Sequence, residues 1–151
     1  MTQFELIVGE VAEASGTEIA IEADRVAEIA VDGTVVLVKP TDAVETSVAF
    51  FSVLVDEGVS EAQMKKALEM SLFGRETAGG SIGHFVDSLI YSEHQALEGL
   101  SAQEFAERLV RFAHNARRLS DALSPLAGGH SRDPAFASSL PDAVTFPQSG
   151  V

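Results

Sequence analysis

Three times along this chain a hydroxyl residue is followed, three positions later, by Glu or Gln at the head of an apolar run. The pairs are Thr2 with Glu5, Ser60 with Gln63, and Ser101 with Glu104. This spacing is a capping box, in which the two side chains satisfy each other's unpaired backbone donors at a helix N-terminus. Three helix starts are therefore fixed before any other feature is read. Between them the apolar pattern changes to strand spacing.

The first helix runs from Thr2 to Ser15. Phe4, Ile7, Val8 and Val11 recur at helical spacing, and Gly16 supplies the stop. Glu18 to Glu22 alternates around Ile19 and Ile21, which reads as a short strand or an extended entry. Val26–Val31 and Thr34–Lys39 flank Asp32-Gly33, the strongest short-range signal for a hairpin. Pro40 ends the second of these strands, and Thr41–Glu45 reads as a loop. Thr46–Val55 is then a long strand, apolar on both faces. Such a strand needs a helix on one side and another layer or subunit on the other.

The second helix follows Ser60, with Val59 and Met64 spaced as a hydrophobic staple. Met64, Ala67, Leu68 and Leu72 form its apolar stripe, and Gly74 ends it. A Gly-rich link leads to a hairpin, Ile82–Val86 and Leu89–Tyr91, turning at Asp87-Ser88. The third helix starts at Ser101 and runs to Leu123. Phe105, Leu109, Phe112, Ala116, Leu119 and Leu123 line one side of it, and it carries Arg108, Arg111, Arg117 and Arg118. From Ala127 onward Gly, Ser, Pro and Ala dominate, with Phe136, Leu140, Val144 and Phe146 among them. The expected architecture is α+β: three helices and a twisted, mainly antiparallel sheet in the order α-βββ-α-ββ-α. A domain over 1–126 precedes a tail over 127–151.

Charge narrows the partners. Apolar residues make up 46% of the chain while its formal net charge is −13. Residues 1–60 hold twelve of the carboxylates against only Arg25 and Lys39. An acidic front half repels nucleic acid, whose binding needs a basic patch. A client with apolar segments, or a basic surface to be masked by an acidic inhibitor or nucleic-acid mimic, fits better. Cys is absent, so there is no disulfide and no thiolate chemistry. No apolar run reaches the roughly 20 residues of a membrane span, and no signal-peptide pattern opens the chain. The expectation is a cytoplasmic protein without membrane insertion.

No cluster points to catalysis. His84, Asp87, Ser88 and His94 come closest to an acid, base and nucleophile set, but they surround an expected hairpin turn and lack a nucleophile elbow. His84 and His94 do not have the spacing of metal ligands on a helix. Gly79-Gly80-Ser81-Ile82-Gly83 lacks the lysine of a phosphate loop and does not lead from strand to helix. The carboxylates between Glu5 and Glu57 do not follow the order of a calcium loop. No catalytic residue, metal site or cofactor is assigned.

One stretch carries a family resemblance. Ala67-Leu68-Glu69-Met70-Ser71-Leu72-Phe73-Gly74, followed by Thr77-Ala78-Gly79-Gly80-Ser81-Ile82-Gly83, is similar to the end of helix 2, the Gly-rich link and the next strand of class I type III secretion chaperones, the Tir-chaperone (CesT-like) family. The likeness spans Phe4 to Leu123 as a pattern of elements. Two positions depart from it: Ser71 stands near a common Asn, and Arg117-Arg118 near a common Trp.

The resemblance implies a cytoplasmic homodimer that holds the N-terminal segment of a secreted effector, with the secretion ATPase as a further partner. The client adds strands at sheet edges and places apolar side chains in shallow patches. Mapped onto this chain, those patches are Phe4, Ile7, Val8 and Val11 of helix 1, with Ile29, Val31, Val36 and Val38 of the sheet. The dimer contact is Met64, Leu68, Leu72 and Ile82.

Overall fold

A computed structural model of the chain describes residues 1–128. The tail residues Phe136, Leu140, Val144 and Phe146 lie outside the described residues. Helix α1 spans Gln3–Ser15, and strands β1 (Ala27–Val31), β2 (Thr34–Pro40) and β3 (Ser47–Val55) follow. Helix α2 (Glu61–Ser71) leads through a short helical turn, Leu72–Gly74, to β4 (Ser81–Phe85) and β5 (Ser88–Ala96). Helix α3 (Ala102–Leu123) closes the fold. All neighbouring strands are antiparallel, in the order β1-β2-β3-β5-β4.

Each capping box forms with both of its bonds in place, at Thr2 and Glu5, Ser60 and Gln63, and Ser101 and Glu104. Gly16 ends α1 in the left-handed conformation, where a side chain would be strained. Asp32 and Gly33 both take positive φ, 49° and 83°, and Val31 pairs with Thr34 across them. That is the turn whose twist matches the flanking strands, and it sets the register of the whole β1–β2 hairpin.

Glu18–Glu22 forms the entry and not a strand, with a single bridge, Ile21 to Ala27, while Ile19 and Ile21 pack against the core. One expectation changes. The later hairpin turns at Val86-Asp87, one residue earlier than expected, since Phe85 pairs with Ser88. Val86 adopts φ 58°, unusual for a β-branched residue, and β5 runs on to Ala96.

The three helices share one face of the sheet. Phe50 on β3 meets Phe105 and Phe112 of α3 edge-on, at 5.5 and 5.4 Å between ring centroids. Tyr91 on β5 stacks on Phe112 at 4.6 Å, and its hydroxyl donates to the Thr77 carbonyl at 2.7 Å. Phe4, Ile7, Val8 and Val11 of α1 are buried in the same core, as are Ala67 and Met70 of α2. Gln63 is buried there too, and its amide donates to the Leu123 carbonyl at 3.1 Å. That bond removes the penalty of placing an amide in the core.

Candidate interaction surfaces

Side chains alternate across a strand, so the pairing register assigns every sheet residue to a face. Ala27, Ile29, Val36, Val38, Val48 and Phe50 all point to the helices and are buried. The residues between them form the opposite face. There Glu28 sits beside Leu37, Leu37 beside Phe51, Ala30 beside Val35, and Val53 beside Ile90. No helix of the described residues covers that face. Val35 and Val53 are each 46% exposed, and Leu37, Phe51 and Ile90 are half-buried.

The expectation that Ile29, Val36 and Val38 point outward is thereby corrected. Together with Phe4, Ile7, Val8 and Val11, they are the floor on which the helices rest. Val31 is half-buried at the hairpin end. The apolar residues open to a partner are their neighbours, Val35, Leu37, Phe51 and Val53. Strand β2 is apolar on both faces (Val35-Val36-Leu37-Val38), so its composition does not say which face is inside.

At the Val35 end the β2–β3 ladder stops at the Leu37–Phe51 pair. Beyond it the Ser52 hydroxyl donates to the Val35 carbonyl at 3.0 Å. The parted strands leave a cleft of about 430 Å³ walled by Val35, Leu37 and Val53, with Ala116, Arg117 and Ser120 of α3 on its other side.

A second apolar surface lies on α2 and the segment after it. The buried side of α2 is Gln63, Ala67 and Met70, and Leu68 faces out. Leu68 is 68% exposed, Leu72 is also exposed, and Phe73 is 92% exposed on a positive φ of 62°. Phe85 and Val86, at the hairpin end of β4, are exposed as well. Of the residues expected at a dimer contact, Leu68 and Leu72 are open, and Met64 and Ile82 are half-buried. The exposed Phe73, Phe85 and Val86 were missed. Phe73 and Val86 stand in turns at positive φ, and Phe85 ends a strand too short for its alternation to say which face is open.

The polar residues do not gather. Asp87 accepts from the main-chain N–H groups of Gly58 and Val59, at 2.6 and 3.4 Å, and so anchors the turn between β3 and α2. Ser88 donates to the Asp56 carbonyl. The register puts the His84 side chain on the helix side of the sheet, beside Leu89, and His94 on the opposite side, beside Ala49. The two histidines cannot act on one substrate. Among the described residues no group of three His, Asp or Glu side chains is arranged to hold a metal ion, and no helix is long and apolar enough to cross a membrane.

Electrostatics follow the packing. The Glu45 carboxyl is held below the usual range first by Arg25 and then by Thr2; Glu5 is held there by the Thr2 main chain and then Arg25. Burial pushes Glu93 the other way, with Arg111 and Arg108 opposing it. Burial also raises the Tyr91 phenol.

No family model matches the chain, and no curated protein matches it. Its fold is nonetheless shared by solved structures. The ExsC–ExsE complex matches with a TM-score of 0.67 and 13% identity, over 82% of this chain and 97% of that one. The Yersinia pestis type III secretion chaperone SycH, in complex with a stable fragment of YscM2, matches with a TM-score of 0.57 and 18% identity, over 77% and 98%. An uncharacterized protein from Methanothermobacter thermautotrophicus matches with a TM-score of 0.56 and 12% identity, over 83% and 99%. The chain has the fold of type III secretion chaperones.

Proposed function

We propose that this protein is a homodimeric chaperone for type III secretion. It binds the N-terminal segment of a cognate effector in the bacterial cytoplasm and keeps that segment soluble, partly extended and competent for secretion. It carries out no catalysis.

The observation that carries the reading is the one-sided layering of the sheet. All three helices lie on one face, and the other leaves Val35, Leu37, Phe51 and Val53 open. An apolar face without a cover marks an interaction surface in a soluble chain. Its residues stand on strands, at the spacing an extended polypeptide can match with alternate side chains. The fold shared with chaperones solved in complex with effectors supports the same reading.

The second copy takes the other surface. Leu68, Leu72 and Phe73, with Met64, Ile82, Phe85 and Val86, make a patch too large and apolar for water alone. Its α2 part, Leu68 with Leu72 and Phe73 after it, stands outside the sheet, so a second copy seated there leaves Val35, Leu37, Phe51 and Val53 free. Carboxylates concentrated in the first sixty residues keep the unloaded protein from associating through its apolar residues.

Co-expression tests the reading. The N-terminal segment of a secreted protein encoded beside this one should be insoluble alone and soluble with this chain. The complex should survive high salt, because apolar contacts are not screened. A segment equally soluble without the chain, or a complex lost to salt alone, contradicts it.

A further inference from the structure

Arg108, Arg111 and Arg118 fall with Asn115 along one side of α3, at spacings of three, seven and ten residues that align side chains on a helix. That side faces β5. Arg118 donates to the Glu76 carbonyl, and the field of Arg111 and Arg108 reaches Glu93. Arg25 pairs with Glu5 and Glu45, His114 lies 3.1 Å from Asp32, and Arg117 lies 3.8 Å from Asp121. Among the described residues neither Arg108 nor Arg111 makes an ion pair.

Beneath these arginines β5 has an open edge. β4 accompanies β5 only to the Ser81–Ser92 pair, whereas β3 continues beside it to Ala96. The chain leaves β5 at Gly80, where a Cβ would stand 2.6 Å from the Ser92 carbonyl oxygen and 2.7 Å from the Tyr91 ring. Glu93 to Ala96 are therefore paired on one side alone. The Leu97 N–H donates to the Thr46 carbonyl, toward β3. By the alternation of an antiparallel strand, the main-chain groups of His94 and Ala96 face the open side. The side chains of Glu93 and Gln95 share the helix-covered face with Tyr91 and Phe50.

We propose that this trough, between the arginine side of α3 and the open edge of β5, binds an extended acidic segment of the client. The segment pairs its main chain with His94 and with the Ala96 N–H, the Ala96 carbonyl already accepting from the Gln95 amide at 2.8 Å, and presents carboxylates to Arg108 and Arg111. Charge complementarity selects the occupant: two unpaired guanidinium groups gain charge-assisted bonds from carboxylates and nothing from a basic strand. The main-chain edge supplies affinity without sequence, and the arginines supply the preference for acid. The identity of the segment's source rests on the chaperone reading; the chemistry of the trough does not.

The test uses the full-length protein and fluorescent peptides of alternating valine and aspartate, with asparagine and lysine counterparts, followed by anisotropy. The aspartate peptide should bind about tenfold or more tightly than the asparagine one, as expected for a charge-assisted bond, and the lysine peptide should not bind. Arg108→Gln with Arg111→Gln should erase the preference while leaving the melting temperature in place, since neither side chain belongs to the buried core and Gln is a good helix former. Ala96→Pro, which removes an edge donor, should weaken both peptides. Equal binding of the aspartate and asparagine peptides, or an unchanged preference in the double variant, overturns the proposal. So does a double variant whose only change is a smaller mass in solution, which would make the stripe a contact between copies. If the trough fails while an effector segment is still held on co-expression, the chaperone reading stands.

Discussion

Arg25 and Glu45 are joined by two hydrogen bonds, Nε to Oε2 at 2.7 Å and Nη2 to Oε1 at 2.5 Å. Both residues adopt positive φ, 65° and 59°, which non-glycine residues rarely do. The same guanidinium reaches Glu5 at 2.8 Å and lies 5.9 Å from the centre of the Phe4 ring. One side chain thus ties the first turn of α1 to the loops before β1 and before β3, and the strained backbone at both ends is held by that contact.

This clamp predicts a pH dependence. Arg25, then Thr2, lowers the Glu45 carboxyl, and Thr2, then Arg25, lowers Glu5, from an ordinary value of 4.5. A lowered folded-state value means that the stabilisation is complete above the unfolded value. It is lost as pH falls through the lower, folded one. Arg25→Ala should lower the melting temperature at neutral pH and flatten its fall on acidification below about pH 4.5. Thermal unfolding followed by circular dichroism at a series of pH values checks this; parallel curves for the two proteins contradict it.

Phe112 stands at the centre of the core, stacked on Tyr91 with planes 8° apart and edge-on to Phe50. Phe112→Ala should cost about 3–5 kcal/mol. That is a large part of the roughly 5–15 kcal/mol a domain holds in total, so its urea midpoint should collapse. Phe112→Leu, which keeps most of the volume, should cost about 1 kcal/mol.

Gly80 tests the close passage of the chain over β5. Its φ is negative or extended, so the constraint is space alone. Gly80→Ala drives a methyl group into the Ser92 carbonyl and the Tyr91 ring and should cost about 1–3 kcal/mol. An unchanged urea midpoint would show that the link moves aside freely.

Much of this architecture is legible in the sequence because the informative signals are local. Three capping boxes and Asp32-Gly33 each need only three or four residues to act, and each acts as read. What failed is the choice of face. In α2 Gln63 takes a core position beside Ala67 and Met70, because the Leu123 carbonyl, distant in sequence, receives its amide. In β2 the run from Val35 to Val38 offers two apolar faces, and only the pairing with β1 and β3 chooses between them. The exposed Phe73 was invisible for a related reason: it sits in a turn at positive φ, where no period applies.

The α2 surface gives a prediction of its own. Leu68→Asp changes an exposed residue, so folding stability should move by no more than about 0.5 kcal/mol. If a second copy covers this face, the particle mass measured by light scattering should fall from twice the 16.0 kDa chain to once. A Leu68→Asp protein that keeps the wild-type mass places the contact between copies elsewhere.

The central claim is that the open sheet face holds the client and the α2 face holds the second copy. Val35→Asp with Val53→Asp, co-expressed with the effector segment and weighed by light scattering after affinity purification, tests it most directly. The account predicts a protein with the wild-type melting temperature and the mass of a dimer, from which the effector segment is missing. A double variant that still carries the segment in wild-type amount contradicts the account.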